Sequence, residues 1–140
     1  MATTARLGYG ATFSIGDGGG TEVFTALSEV IEVGPPSLSR ASVDATHHGS
    51  TERYQDFIPG LRDGGEVPLM LNYTNAAYVT LLAKYNTDTV TNYRVTGPNG
   101  AIWQFAGFLT ALEGQIPIDD KMAISCTFKV SGKPAYTAGS

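Results

Sequence analysis

His47-His48, with Asp44 and Glu52 near them in the chain, is the one group that resembles a set of metal ligands. Imidazoles and carboxylates hold zinc-like ions, and a metal-dependent hydrolase would use such an ion to activate water. The spacing argues against that use. Adjacent histidines on an extended segment project to opposite sides, whereas a chelating pair is spaced to share one face. A polar loop at an interface fits these residues better. Asp119-Asp120, after Pro117-Ile118, resembles a paired acid and base. Neighbouring aspartates at a turn usually cap backbone N–H groups, and no nucleophile, base or oxyanion donor is recognisable beside them. The run Gly16-Asp17-Gly18-Gly19-Gly20 lacks the Lys-Ser/Thr of a phosphate loop and opens a strand, not a helix, so it is expected to be a hairpin turn. Cys126 falls on the apolar side of an alternating run, the place of a small buried hydrophobe. Trp103, Phe105 and Phe108 have no interleaved basic residues to make a stacking platform for bases. The chain is expected to be no enzyme and to take no metal or cofactor.

Composition points the same way. A chain of 140 residues supports one core. Only 16% of residues are charged, well below the roughly 25% of an average soluble domain, which implies surface reserved for protein contacts. The net charge of −4 gives no basic footprint for gripping phosphates. A single cysteine rules out an intramolecular disulfide. No signal-peptide pattern and no membrane-length apolar run are present, so the chain is expected to be made soluble in a cytoplasm, away from membranes.

The elements that must position these residues are mainly strands. Residues 1–8 read as an N-terminal arm, and residues 9–15 pair in a hairpin with a long strand over 22–33 that stops at Gly34-Pro35-Pro36. Residues 37–64 lose periodicity and become polar. A connection this long is usually functional, here an irregular arm that docks on a neighbouring subunit. Val67, Leu69, Leu71 and Tyr73 alternate along a strand whose Pro68 belongs near an end, bulge or edge. Thr74 or Asn75 caps a helix to Tyr85 with Tyr78, Leu81, Leu82 and Tyr85 on one face. Strands over 92–96 and 101–113 flank the Asn99-Gly100 turn, and Met122, Ile124, Cys126, Phe128 and Val130 mark the inward side of the last strand. Residues 133–140 read as a loose tail. The fold class is a two-sheet β-sandwich or open barrel of about six strands with one α-helix and a long inter-subunit arm.

Motif order carries a resemblance. Residues 28–39 (SEVIEVGPPSLS), 43–48 (VDATHH), 60–67 (GLRDGGEV), Leu71-Asn72-Tyr73, 97–100 (GPNG), 105–110 (FAGFLT), 116–120 (IPIDD) and 130–134 (VSGKP) follow one another across roughly residues 13–135. In that order they resemble the major tail tube protein of long-tailed, non-contractile, lambda-like bacteriophages and of related gene transfer particles. The resemblance implies subunits joined in hexameric rings whose sheets continue one another around a lumen. Rings stack into a tube under a tape measure protein, with tail tip or baseplate and tail terminator proteins at its ends, the long loop and the termini bridging rings. DNA passes through without specific binding. Members often carry a C-terminal immunoglobulin-like domain, and the chain is expected to lack one.

An acidic lumen wall keeps a passing polyanion from sticking. Glu22, Glu29, Glu32, Glu113, Asp119 and Asp120 are the candidate lumen carboxylates, although Glu29 and Glu32 fall on opposite faces of an unbulged strand. Arg40, Asp44, His47, His48, Glu52, Arg53, Tyr54 and Asp56 are the candidate inter-ring arm residues. The alternatives are a monomeric ligand-binding β-sandwich with Trp103 and tyrosines around a pocket, and the hydrolase using His47, His48 and Asp44.

Overall fold

A computed structural model describes residues 8–16 and 23–139. Residues 1–7 of the expected N-terminal arm, residues 17–20 of the expected hairpin turn, and Glu22 lie outside the described residues. The described chain forms β1 (Thr12–Gly16), β2 (Phe24–Ala26), β3 (Val30–Val33), β4 (Ser39–Asp44), β5 (Phe57–Asp63), β6 (Glu66–Asn72), α1 (Asn75–Tyr85), β7 (Thr91–Thr96), β8 (Ile102–Gln115) and β9 (Ala123–Thr137). Seven strands make one antiparallel sheet in the order β2-β1-β7-β8-β9-β6-β3, and β4-β5 stands apart as a ribbon.

The order dictates the shape. β2 and β3 occupy opposite edges of the sheet, yet only residues 27–29 separate them. Four Cα steps reach about 14 Å, whereas seven flat strands would hold the edges about 29 Å apart. The sheet therefore curls until its edges approach, and β1 comes into contact with β3. The two edge strands do not pair with each other, so the barrel stays open. The long bulged strands β8 and β9 serve both sides of it: β7 pairs with the first half of β8, and β6 with the first half of β9, with register shifts between Gln104 and Ala106 and between Leu109 and Ala111.

Here the structure corrects the single strand expected over 22–33. β2 alone pairs with β1, and β3 pairs with β6 on the far edge. Leu27 N donates to Phe13 O at 2.9 Å and Asn72 N donates to Glu29 O at 3.0 Å, so the crossing is tied to one edge at each end. Glu29 makes the turn with a left-handed φ of 56°, a conformation uncommon outside glycine and invisible in the sequence pattern.

Phe13, Tyr93, Phe105 and Phe128 stack at the centre, with ring centroids 4.7 Å apart for Tyr93 and Phe128 and 4.9 Å for Phe13 and Phe128. Val67, Leu69, Leu71, Ile124, Cys126 and Val130 complete the core at the alternate positions expected, while Met122 lies outside it. Pro68 stands opposite Gly34, where β3 has ended. Thr74 caps α1, its Oγ1 accepting from Ala77 N at 3.2 Å. The helix buries Ala77 and Leu81 with Tyr78 packed beside them, and Leu82 and Tyr85 of the expected face are exposed. Residues 133–137, expected as a loose tail, continue β9, with Tyr136 opposite Trp103 and ring centroids 5.3 Å apart.

Candidate assembly surfaces

Residues 37–64 are not irregular. β4 and β5 form an antiparallel ribbon, and every residue of it except Gly60 is exposed. Consecutive cross-strand pairs face opposite sides, so Val43 with Ile58 and Asp44 with Phe57 put apolar groups on both faces. Leu38 and Leu61 add to them, Leu61 at 89% exposure. A two-stranded hairpin is marginal in water by itself, and exposed apolar surface of this kind marks a contact site.

The tip is built by the polar residues. Thr46 N donates to Asp44 Oδ1 at 2.9 Å, Asp56 N to Thr46 Oγ1 at 2.8 Å, and Ser50 Oγ to Asp56 Oδ2 at 2.6 Å. The bonds from Thr46 hold the Asp44 carboxyl below its ordinary range. Gly49 N donates to His47 Nδ1 at 3.0 Å, so His47 shapes the turn. Glu52 and Arg53 take φ of 54° and 67°, and they stand exposed with His48 and Tyr54. Arg40, by contrast, sits at the ribbon's base opposite Arg62. The charged residues expected in the arm all lie on this ribbon or its tip. The apolar ones, Leu38, Val43, Phe57, Ile58 and Leu61, were passed over, and their signal was the presence of five large apolar side chains in a stretch with no buried face.

At the base, Gly65 returns the chain to the sheet at φ 74°, where a Cβ would overlap the Ser37 carbonyl. Gly65 N donates to Asp63 Oδ1 at 2.9 Å and Lys129 Nζ lies 3.2 Å from the same oxygen; both hold the Asp63 carboxyl below its usual range.

A second surface is the outer side of β3-β6-β9-β8. Glu32 stands opposite Met70, Met70 opposite Ser125, and Ser125 opposite Glu113, forming one row across four strands. Each row member neighbours an inward-packing residue, so the row faces outward, with Glu32 and Glu113 about 14 Å apart. The register shift between Val30 and Glu32 turns both Val30 and Val33 inward and removes the parity conflict. Glu29 joins this side by accepting from Asn72 Nδ2 at 3.4 Å. Asp119 and Asp120 are not on the sheet; they lie in the exposed 116–122 connection at the end of β8 and β9, where Lys121 N donates to Asp120 Oδ1 at 2.8 Å. Glu22 is outside the described residues.

The family model described as "Lambda phage tail tube protein, TTP" matches residues 14–137. The chain belongs to that family. Tail tube proteins are structural components of the virion tail, and that is the class of this chain. Solved structures share the fold. A protein in the tail of an empty gene transfer agent particle, refined helically with C6 symmetry, superposes with a TM-score of 0.75 at 15% identity, over 96% of this chain and all of that one. A protein of the native gene transfer agent virion gives 0.76 at 15% identity over the same shares. A protein of the sheath/tube terminator of an extracellular contractile injection system, PVC, in its extended state gives 0.75 at 12% identity, over 99% of this chain and all of that one. No curated protein sequence matches the chain.

Tail tube membership gives the two surfaces a common setting. Among the described residues no helix is long and apolar enough to cross a membrane. Of the aromatic side chains named for a ligand pocket, Tyr93 fills the core, and half-buried Trp103 packs on the exposed Tyr136.

Proposed function

We propose that this tail tube subunit forms hexameric rings that stack into a conduit for DNA, with the outer side of β3-β6-β9-β8 as lumen wall. The observation that carries this reading is the pair of free edges on that four-strand unit. β3 ends one side. On the other, β7 stops pairing at Gly107, so, among the described residues, positions 108–115 of β8 have no strand beyond them, only α1 across a shallow cleft. A β8 edge meeting the β3 edge of the next copy continues the sheet, and closure of the ring abolishes the edges. Six copies of four strands at about 4.8 Å give a wall of roughly 115 Å circumference and a backbone diameter of roughly 37 Å, before strand tilt widens it. Six is the symmetry of the related gene transfer agent tail.

In this reading Glu29, Glu32 and Glu113 present carboxylates to passing DNA, and Asp119 and Asp120 stand toward a rim. The ribbon, with Arg40, Asp44, His47, His48, Glu52, Arg53, Tyr54 and Asp56, reaches a neighbouring ring. A tape measure protein sets tube length, and tip or baseplate and terminator proteins close the ends. The subunit has no catalytic role and forms one domain over residues 1–140. Negative-stain microscopy of the purified protein tests the reading: six-fold rings and tubes are expected, and a monodisperse monomer at high concentration with neither would overturn it.

A further inference from the structure

Between the base of the ribbon and the far part of β9 lies an open cleft of about 560 Å³, lined in part by Leu38, Arg40, Arg62, Val130, Lys133 and Pro134. Arg40 and Arg62 stand directly opposite each other in the ladder, a like-charge pair that destabilises it. Lys133 adds a third cation from the β9 side of the cleft. The carboxylate there, Asp63, is already engaged by Gly65 N and Lys129 Nζ. Among the described residues neither Arg62 nor Lys133 has an ion-pair partner. A cleft with apolar walls and three cations fits a segment that is both apolar and acidic, because guanidinium groups bind carboxylates in a two-pronged geometry.

Residues 116–122 have that chemistry. Ile116 and Ile118 are 78% and 102% exposed, and Asp119-Asp120 follow directly. Pro117 stiffens the segment between the isoleucines. Within one copy the two features stand apart: the segment adjoins Ala123 at the start of β9, and the cleft adjoins Val130, about 23 Å along the strand.

We propose that residues 116–122 of one copy dock in the ribbon-base cleft of a second copy. Asp119 and Asp120 pair with Arg40, Arg62 and Lys133, and Ile118 packs between Leu38 and Pro134. The contact joins one end of the strand stack to the opposite end of the next, so it is heterologous and repeats without closing. It rests on the tail tube reading and specifies its ring-to-ring joint.

Charge reversal tests it. D119K/D120K and R40E/R62E are each expected to abolish tubes longer than single rings, and a chain carrying all four substitutions is expected to elongate again. Wild-type-length tubes from either double variant would overturn the docking while leaving the tube reading intact. A second readout does not need tubes. A chain carrying Asp119→Cys and Arg62→Cys in addition to the buried Cys126, mildly oxidised at high concentration, should give a ladder of disulfide-linked oligomers that neither substitution alone gives. No ladder overturns the docking; a ladder from a chain that forms no tubes in the wild type supports the docking and overturns the tube reading.

Discussion

Burial in the core, on β9 between β6 and β8, pushes the Cys126 thiol from 9.0 up to about 12. A raised thiol pKa means the neutral form is favoured in the fold, so this stability is complete below pH 9.0 and is lost as pH rises from there toward 12. The native thiol should resist alkylation at pH 8 and react fully in denaturant; full labelling of folded protein would contradict its burial. At Gly65 the constraint is steric. A Gly65→Ala chain combines an unfavourable positive φ with the Ser37 overlap, and should lose about 1–3 kcal/mol in a urea melt. A loss of under half that would show that the ribbon's base can shift. Cys126 was legible from its place in an alternating run. Glu29 was not, since its turn uses neither glycine nor proline and each side of it is apolar.

Elements were readable where one face is buried. β9 shows Ile124, Cys126, Phe128 and Val130 inward against Ser125, Thr127 and Lys129, and the pattern alone places it. β4 and β5 have no buried face, so no period of two marks them, and a regular ribbon looked like an irregular loop. The helix face was misplaced by its smallest member: Ala77 contributes little hydrophobicity to the sequence pattern but allows close approach to the sheet. The ribbon's independence from the core gives a prediction at this scale. Ser39 and Asp63 are cross-strand partners, so removing residues 40–62 joins two positions already about 5 Å apart. The shortened chain should melt within a few degrees of the full one and fail to form tubes. Long tubes from it would remove the ribbon from any stacking role.

For the whole molecule, the proposed lumen wall implies a charge test. Glu32 and Glu113 lie on one row of the outer sheet face and belong to neither the ribbon nor the 116–122 connection. Tubes of wild-type protein should not retain DNA in co-sedimentation at low salt, and E32K/E113K tubes should retain it in a salt-sensitive way. Equal behaviour of the two would move the lumen to another face. This surface was only half legible, because assigning Glu29 and Glu32 to one side requires the bulge that their spacing in sequence conceals.

The ribbon of β4 and β5 also bears on timing. In the proposed tube, a hairpin with apolar groups on both faces and no core of its own gains its packing when another copy covers it. The first copies to meet must order that hairpin against few neighbours, while each later copy meets a surface already set. Growth of this kind has a lag and a critical concentration, and short preformed tubes added as seeds should abolish the lag.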